Sequence, residues 1–542
     1  MPVGLLRKRI RRSWSSHGSR ERRLKQCLHM TPTFCSRCGD AVEEGCNPWD
    51  ELAELDALLE RLRVKRYDLK RKINRVQSLI VRQLPRDVMS TIFEFCLPDF
   101  TVHQPSPYIQ DDISIPLSLG AICSYWRDVA WSTPSLWCSL VICVTRNHDP
   151  HIVTCIAQEW LSRSGQLPLS IRICSKLYEH ETFSALADII NQYSPRWSNL
   201  DLYIPDTYYK YFHGTDNHAP ILKSIRFSCS FYRKMMNLQL TCPRLERATL
   251  SHILINRTNI TNFQWDNLTH LTLYSMFTLE SLLILHKTPR LVFLKISGGC
   301  PLYREEPIIG TIVLTSLKSL QLMMLVGGLL NNLIAPNLEE FSLRQYSISA
   351  IEIVGSFLRR SACSLRSFFI IISNFPPYFE DFMGLLQSMP SLNTLSIMST
   401  MYTNSGDVDY DPRNILQLAA KVLLSQSSSF QQRFLPNLKI LEYTGELCYL
   451  QSGNYEDLYP LPPVDNAVHG PLQLLKLDLH SSRTRVPKKL ISYISSLRER
   501  GVTVNVSSYS EDILQCSIDY YKCREDFLCR DWIEHFDSTL FS

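Results

Sequence analysis

Apolar residues recur at helical spacing in two short segments near the start of the chain, with polar residues between them. In the first segment the apolar positions are Val88, Ile92, Phe93 and Cys96. Pro85 stands where a helix has no N–H bond to lose, and Pro98 ends the segment. The second segment places these residues on one apolar stripe: Leu119, Ile122, Cys123, Trp126, Val129 and Ala130. The pattern predicts two short amphipathic helices of a docking module rather than a catalytic site.

A second periodic segment lies upstream, where apolar residues follow alternating steps of three and four. The seam comprises Leu52, Leu55, Leu59, Leu62, Leu69, Ile73, Val76 and Ile80, with Arg66 at the one skipped position. This spacing is the heptad pattern of a coiled coil. We therefore predict a helix within 49–82 that could pair with a second copy of the chain through residues 52–80. It could equally fold back on the helices of residues 84–140.

Downstream, the pattern Leu-x-x-Leu-x-Leu recurs with aromatic or β-branched substitutions. The units begin at Leu222, Leu245, Leu268, Leu291, Leu317, Leu338, Leu365, Leu392, Leu438 and Leu472. The first three intervals are each 23 residues, and a period in the twenties with this pattern is typical of leucine-rich repeats, each a short strand with a helical or irregular return. The sequence thus predicts a repeat solenoid over residues 196–510, with strands on its concave side. Residues 197–202 are interpreted as a degenerate first unit and residues 502–506 as the last strand.

The residues between the leucines are predicted to face outward from the strands, because side chains alternate along a strand. They include Lys223, Arg226, Glu246, Arg247, His270, Phe293, Lys295, Lys318, Gln321, Glu339, Glu340 and Glu442. This mixture of charges with occasional aromatics favours protein recognition over nucleic acid, since a phosphate backbone requires a stripe of positive charge. The sequence does not identify the residues that bind a substrate.

Residues 84–140 resemble an F-box, the module by which substrate receptors of Skp–cullin ubiquitin ligases hold their adaptor. The resemblance is carried by Leu84-Pro85, an acidic residue and an apolar helix, then Cys123-Ser124-Tyr125-Trp126-Arg127 and Trp137. Asp87 replaces the more usual Glu, and the linker over residues 99–116 is longer than the family usually carries. The resemblance implies an adaptor-binding surface formed by Leu84, Pro85, Val88, Ile92, Phe93 and Trp126.

Composition bears on the cellular compartment and on the kinds of partner that we expect. The net charge is only +5, and much of it lies in a basic N-terminal arm, residues 1–48, which is either a flexible arm or a nuclear import signal. The 18 cysteines are dispersed, and the Arg-rich opening has no apolar segment, so we expect reduced thiols in the cytoplasm or nucleus. No uninterrupted apolar stretch approaches the length of a membrane helix, so no membrane partner is expected.

One group of cysteines is the candidate metal site. Cys35 and Cys38 have the spacing of two thiolate ligands of a structural zinc, whereas the outer pair, Cys27 and Cys46, stands at no standard distance. We therefore expect no metal and no other cofactor, with these four thiols as the only candidates.

No motif of catalysis or phosphate binding is found, so we expect a non-catalytic protein. The predicted fold class is α/β: an N-terminal helical segment and a three-helix F-box, followed by a leucine-rich-repeat solenoid. A linker or first capping region is expected over 141–195 and a C-terminal tail over 511–542. The family resemblance implies the substrate-recognition subunit of a ubiquitin ligase, with a Skp-family adaptor, cullin and an unknown protein target as partners. The alternative is a leucine-rich-repeat scaffold without a ligase role.

Overall fold

A computed structural model describes the larger part of the 542 residues. The described residues are 48–77, 83–97, 115–145, 149–175, 182–229, 234–235, 238–255, 263–298, 310–323, 327–344, 349–373, 379–400, 434–445, 472–479, 486, 488–499, 501–508 and 511–526. The chain divides into two compact units, one comprising residues 1–84 and 123–125 and the other comprising residues 85–122 and 126–542.

Helices occur throughout the described chain. They are α1 Pro48–Gln77, α2 Arg86–Phe95, α3 Ile115–Ile122, α4 Ser124–Trp131, α5 Pro150–Arg163, α6 Thr182–Asn191, α7 Thr278–Leu285, α8 Gly327–Leu330, α9 Ser349–Ser361, α10 Phe379–Gln387, α11 Lys488–Glu499 and α12 Ile513–Asp526, with 3₁₀ turns at Pro134–Trp137, Ser194–Arg196 and Asp206–Tyr211. Local sequence sets the start of α5. Asp149 caps this helix by accepting from the His151 N–H at 2.9 Å, and Pro150 occupies its first position. In the described residues, no helix is both long and apolar enough to cross a membrane.

One large sheet dominates the second unit. Its strands, with two short side pairs, are β1 Ser139–Val144, β2 Leu169–Ser175, β3 Trp197–Tyr203, β4 Ser224–Ser228, β5 Lys234–Met235, β6 Arg247–Ser251, β7 Ile253–Leu254, β8 His270–Tyr274, β9 Phe293–Ser297, β10 Ile312–Val313, β11 Ser319–Met323, β12 Leu333–Ile334, β13 Glu340–Arg344, β14 Ser367–Ser373, β15 Thr394–Thr400, β16 Ile440–Gly445, β17 Leu474–Leu479, β18 Thr503–Ser508 and β19 Glu511–Asp512. The 15-stranded sheet follows chain order, and all its neighbouring pairs are parallel except β18 with β19. The chain is therefore a mixed α/β protein with a large, mostly parallel sheet.

The repeated leucines explain where the strands begin. Each of the ten predicted unit starts, from Leu222 to Leu472, lies two residues before a strand and is buried. Burial then alternates along the strands, as in β4, where Ile225 and Phe227 point inward and their neighbours outward. The leucines thus form successive layers of one core, and burying them drives the strands into register.

Backbone hydrogen bonds repeat from one unit to the next. The Lys223 carbonyl accepts the N–H groups of Glu246 and Arg247, and the Glu246 carbonyl accepts those of Thr269 and His270, at 2.9 to 3.0 Å. Because each carbonyl just before a strand holds the next strand by two bonds, neighbouring units keep the same register across the sheet.

The sheet begins earlier than the sequence pattern predicts. β1 and β2 lie within the predicted linker region 141–195 and its edge. β1 pairs in parallel with β2, and β2 pairs in parallel with β3. The proposed first unit at residues 197–202 corresponds to β3, and the proposed last strand corresponds to β18. The two earliest strands lack the leucine pattern, which explains why periodicity missed them.

Candidate interaction surfaces

The helices around residues 84–137, here called the helical module, pack around a small aromatic interior. On α2, Met89 and Phe93 are buried, and the Phe93 ring lies 5.0 Å from the ring of Trp126 on α4. Gly120 of α3 fits directly against the Trp131 ring, where any Cβ would overlap it. The module is therefore closed from inside by large side chains in contact.

A tryptophan cluster joins α4 and the following 3₁₀ turn to α5. The fully buried Trp137 ring lies 5.2 Å from Trp131 and 4.8 Å from Trp160, and its indole N–H donates to the Ala130 carbonyl at 2.8 Å. The Arg163 guanidinium stands 4.9 Å from the Trp131 ring centre and 4.8 Å from that of Trp137. Cation–π contacts of this kind contribute about 0.5–2 kcal/mol each, so α5 is firmly attached to the helices before it.

Polar contacts fix α2 against the end of α4. Arg86 donates through one Nη2 to the Asp128 carbonyl and to the Ser132 hydroxyl, each at 2.9 Å. The Ser90 hydroxyl lies 3.0 Å from that of Thr133. Because the first residue and the middle of α2 are both held, its orientation within the module is well defined.

The opposite side of α2 is an exposed apolar stripe formed by Val88, Ile92 and Phe95. These residues, spaced by four and three positions, are 40%, 42% and 86% exposed, and the spacing puts them on one helix face. Leu117 and Ile122 of α3 are also exposed, at 45% and 58%. Exposed apolar residues concentrated on one helix are the usual mark of a docking surface.

The predicted adaptor-binding residues divide between surface and interior. Pro85, Val88 and Ile92 are exposed and Leu84 is partly exposed, whereas Trp126 is partly buried against Phe93. Phe93 itself is fully buried and supports the stripe from inside. Phe95 was missed, although its spacing of seven residues from Val88 is a signal that could have identified it.

The outward side of the large sheet forms a second surface, in which parallel register aligns side chains in rows. The first row contains Ser139, Ser170, Asn199, Ser224, Arg247, His270, Phe293, Ser319, Glu340, Ser367, Thr394, Ile440, Leu474 and Thr503. The middle row contains Val141, Arg172, Asp201, Arg226, Thr249, Thr272, Lys295, Gln321, Ser342, Phe369, Ser396, Glu442, Lys476 and Asn505. The last row includes Cys143, Cys174, Tyr203, Tyr274, Met323, Arg344, Ile371 and Met398, of which Ile371 is buried. All twelve residues predicted to face outward are exposed or partly exposed.

Charges in the middle row are paired at its start. The Asp201 carboxylate lies 2.6 Å from Arg172 Nε and 3.6 Å from Arg226 Nη1 and is only 8% exposed. Further along, Ser396 donates to Glu442 at 2.8 Å. These charge-assisted bonds hold the outward side chains in fixed positions, and the surface they form stays polar.

Aromatic residues on this surface contact cationic or imidazole groups. The His270 ring stacks on Phe293 at 5.8 Å, Lys295 Nζ lies 6.0 Å from the Tyr274 ring, and the Arg344 guanidinium lies 5.4 Å from the ring of Phe369. The pKa of His270 is lowered, first because the ring is partly desolvated and second because Arg247 is near.

Two cysteines stand side by side in the last row. Cys143 and Cys174 are free thiols on directly paired positions of β1 and β2. The hydrogen bond from Cys174 lowers the pKa of Cys143 to about 7, burial opposes this, and Arg172 adds to the lowering. The same bond and burial raise the pKa of Cys174.

The candidate metal ligands Cys27, Cys35, Cys38 and Cys46 lie outside the described residues. Within the described ranges, no group of three or more His, Cys, Asp or Glu residues is placed to hold a metal ion.

The predicted heptad seam lies on α1, whose leucines are about half exposed. Leu52, Leu55, Leu59, Leu62, Leu69 and Ile73 have exposed fractions of 48% to 56%. Arg71 donates to the Ser124 hydroxyl at 2.9 Å. The side chain of Val76, and all of Ile80, lie outside the described part of the chain. The seam is therefore exposed, and available for a partner helix, from Leu52 to Ile73.

The sequence was compared with protein-family models and with curated proteins. No protein-family model matches the chain. A search of curated proteins likewise found no match.

Proposed function

We propose that this protein is the substrate-recognition subunit of a Skp–cullin–F-box ubiquitin ligase. The helical module would bind the adaptor, and through it cullin, while the repeats of the large sheet would hold a target protein. The chain itself would be a non-catalytic receptor, because transfer of ubiquitin depends on holding the target near a recruited conjugating enzyme. Its place of action would be the cytoplasm, the nucleus or both.

The observation that carries the proposal is the apolar stripe on α2. Val88, Ile92 and Phe95 stay exposed although the same helix buries Met89 and Phe93 in the module interior. A helix with two apolar faces needs a second partner, and burying this stripe would remove its apolar area from water. From the resemblance of residues 84–140 to an F-box, we infer that this partner is a Skp-family adaptor.

The large sheet supports the other half of the proposal. The ten repeated leucines stand before parallel strands that follow chain order, and the outward rows carry polar, charged and aromatic residues. A surface of this composition resembles protein interfaces more than the uniformly basic surfaces that bind nucleic acid. We interpret these units as leucine-rich repeats of a solenoid.

Co-expression with a Skp-family adaptor and size-exclusion chromatography test the proposal. We expect co-elution with the unaltered chain and its loss with Ile92→Glu, because a carboxylate would be buried in the interface. Ile156→Glu is the matched control, since Ile156 is exposed to a similar degree, 48% against 42%, on α5 outside the stripe. The Leu84→Ala, Pro85→Ala double variant, checked by circular dichroism, tests the start of the motif.

A second measurement separates a ligase receptor from a scaffold. Reconstituted complex with cullin and a conjugating enzyme should ubiquitinate a protein captured by the sheet. If no adaptor complex forms with the unaltered chain, the ligase role is lost and the remaining interpretation is a repeat-based scaffold.

The exposed seam of α1 supports a helix partner in addition. Light scattering of the full chain would give the mass of a dimer if α1 pairs with a second copy. Leu59→Glu would then restore the mass of one chain. A single-chain mass for the unaltered protein would instead favour folding back on the helical module.

A further inference from the structure

The outward rows of the sheet change character along the chain. Over β4, β6, β8, β9 and β11, the three rows contain the cations Arg226, Arg247 and Lys295 together with His270, and they contain no carboxylate. No described carboxylate forms an ion pair with Arg247 or Lys295. Glu246 stands just before the first row on β6 and acts on His270, but the three rows themselves carry only positive charge. This part of the surface, here called the cationic section, thus attracts negative charge.

The strands that follow carry apolar outward residues instead. Phe369 occupies the middle row on β14, Met398 the last row on β15, and Ile440 and Leu474 the first row on β16 and β17. Each is partly exposed, and Arg344 beside Phe369 provides a polar edge. We call this part the apolar section.

Carboxylates limit the cationic section on both sides. At its start, Asp201 on β3 offsets part of the positive charge of Arg226 on β4 and of Arg172 on β2, through contacts to both. Glu340 stands in the first row on β13, directly after it. An acidic ligand is therefore confined to the strands from β6 to β11, where Arg247 and Lys295 lie, and an apolar group is favoured beyond β13.

We propose that this face binds an extended peptide whose acidic residues lie over the cationic section and whose apolar residue lies over the apolar section, about four residues away. From Lys295 to Phe369 the middle row takes three strand steps, through Gln321 and Ser342. Steps of about 4.8 Å give about 14 Å, which an extended chain covers in about four residues. Gln321 and Ser342 offer hydrogen bonds to the peptide backbone between the two sections.

The peptide would be the docking segment of the target, so its biological role rests on the proposed function. A folded protein presenting an exposed extended segment, or a disordered tail, has the required form. The adjoining apolar section argues against RNA as the occupant, because every nucleotide of RNA carries a phosphate that needs Lys or Arg side chains nearby.

Fluorescence anisotropy with the full chain tests the inference. The probe is a short fluorescent peptide in which a Glu-Glu pair and a Leu-Phe pair are separated by about four Gly and Ser residues. We expect binding that weakens about tenfold or more when Lys-Lys replaces Glu-Glu, when Ser-Ser replaces Leu-Phe, or when the spacer is removed. Equal binding of all four peptides, or no binding of the first, would overturn the proposal.

Protein variants locate the binding. Arg247→Glu with Lys295→Glu should weaken the first peptide about tenfold or more, while Arg244→Glu with Lys287→Glu makes the same charge change at exposed residues outside the rows and should not. Phe369→Ala should weaken it, and Phe95→Ala on the helical module should not. A random single-stranded RNA that displaces the peptide and binds equally to Phe369→Ala would replace this proposal with nucleic-acid recognition.

The two proposals fail separately in these experiments. Ile92→Glu should lose the adaptor and keep the peptide. Adaptor binding without peptide binding would overturn the peptide inference alone, whereas peptide binding without adaptor binding by the unaltered chain would overturn the ligase role alone.

Discussion

The helical module and the outward sheet face are built in opposite ways. The module gathers its apolar surface on one helix, where three exposed residues stand over a tightly packed aromatic interior. The sheet face spreads polar and charged residues over many strands, each contributing two or three side chains. Binding to the module should therefore depend on a few residues, whereas binding to the sheet should depend on the sum of many.

The interior of the module is the place where one substitution should have the largest effect. Trp137→Ala removes a fully buried ring that contacts Trp131, Trp160 and Arg163, and we expect a loss of about 3–5 kcal/mol in the free energy of unfolding. Urea denaturation followed by circular dichroism measures it. Phe95→Ala, at an 86% exposed position, should change stability by less than about 0.5 kcal/mol. Similar losses for both would mean that the surface and interior of the module are not distinct.

Two helical glycines allow the packed interior of the module to be compared with an open helix position elsewhere. Gly120→Ala places a methyl group inside the Trp131 ring, so helix packing must shift at a cost of about 1–3 kcal/mol. Gly384→Ala, in α10, meets no atom within 4 Å and should stabilise by about 0.5–1 kcal/mol because alanine favours helix. Thermal unfolding should therefore shift in opposite directions for the two variants.

Periodicity predicted the strands well because the repeated leucines are the core itself. Every unit start from Leu222 to Leu472 is buried. It did not predict β1 and β2, since neither strand belongs to a Leu-x-x-Leu-x-Leu unit. Each of them carries a cysteine in the outward row instead. Periodicity places Phe95 on the face of Val88 and Phe93 on the face of Met89. It does not tell which face is buried, because that depends on Trp126, distant in sequence.

Contacts between units were also beyond the pattern. The sequence Pro-Asn-Leu marks two unit starts, and the structure supplies the reason: Asn337 and Asn437 donate through Nδ2 to the carbonyls of Thr315 and Pro390, at 2.8 and 3.0 Å. Asn267 makes the same bond to Pro243. In these three units the asparagine ties the unit to the previous one, which only the folded register reveals.

On the sheet face, the strongest single test is Asp201. Asp201→Asn removes the negative charge between Arg172 and Arg226, and we expect a loss of about 1–2 kcal/mol because two cations then face each other. Glu442→Gln keeps an acceptor for Ser396 and should cost less than about 0.5 kcal/mol. Denaturant titration of both variants compares them directly. Equal losses in the free energy of unfolding for the two variants would show that the Asp201 ion pairs contribute no more than the Ser396–Glu442 hydrogen bond.

The smallest effect concerns the paired thiols at the edge of the same face. Because the pKa of Cys143 is lowered to about 7, its thiolate predominates above that pH, and alkylation by iodoacetamide should rise with a midpoint near pH 7. Cys174→Ala removes the hydrogen bond that is the main cause, leaving burial to raise the pKa, so the midpoint should move upward. Mass spectrometry of the peptide containing Cys143 gives the rate at each pH. An unchanged midpoint would mean that the positive charge of Arg172, rather than the hydrogen bond from Cys174, lowers the pKa of Cys143.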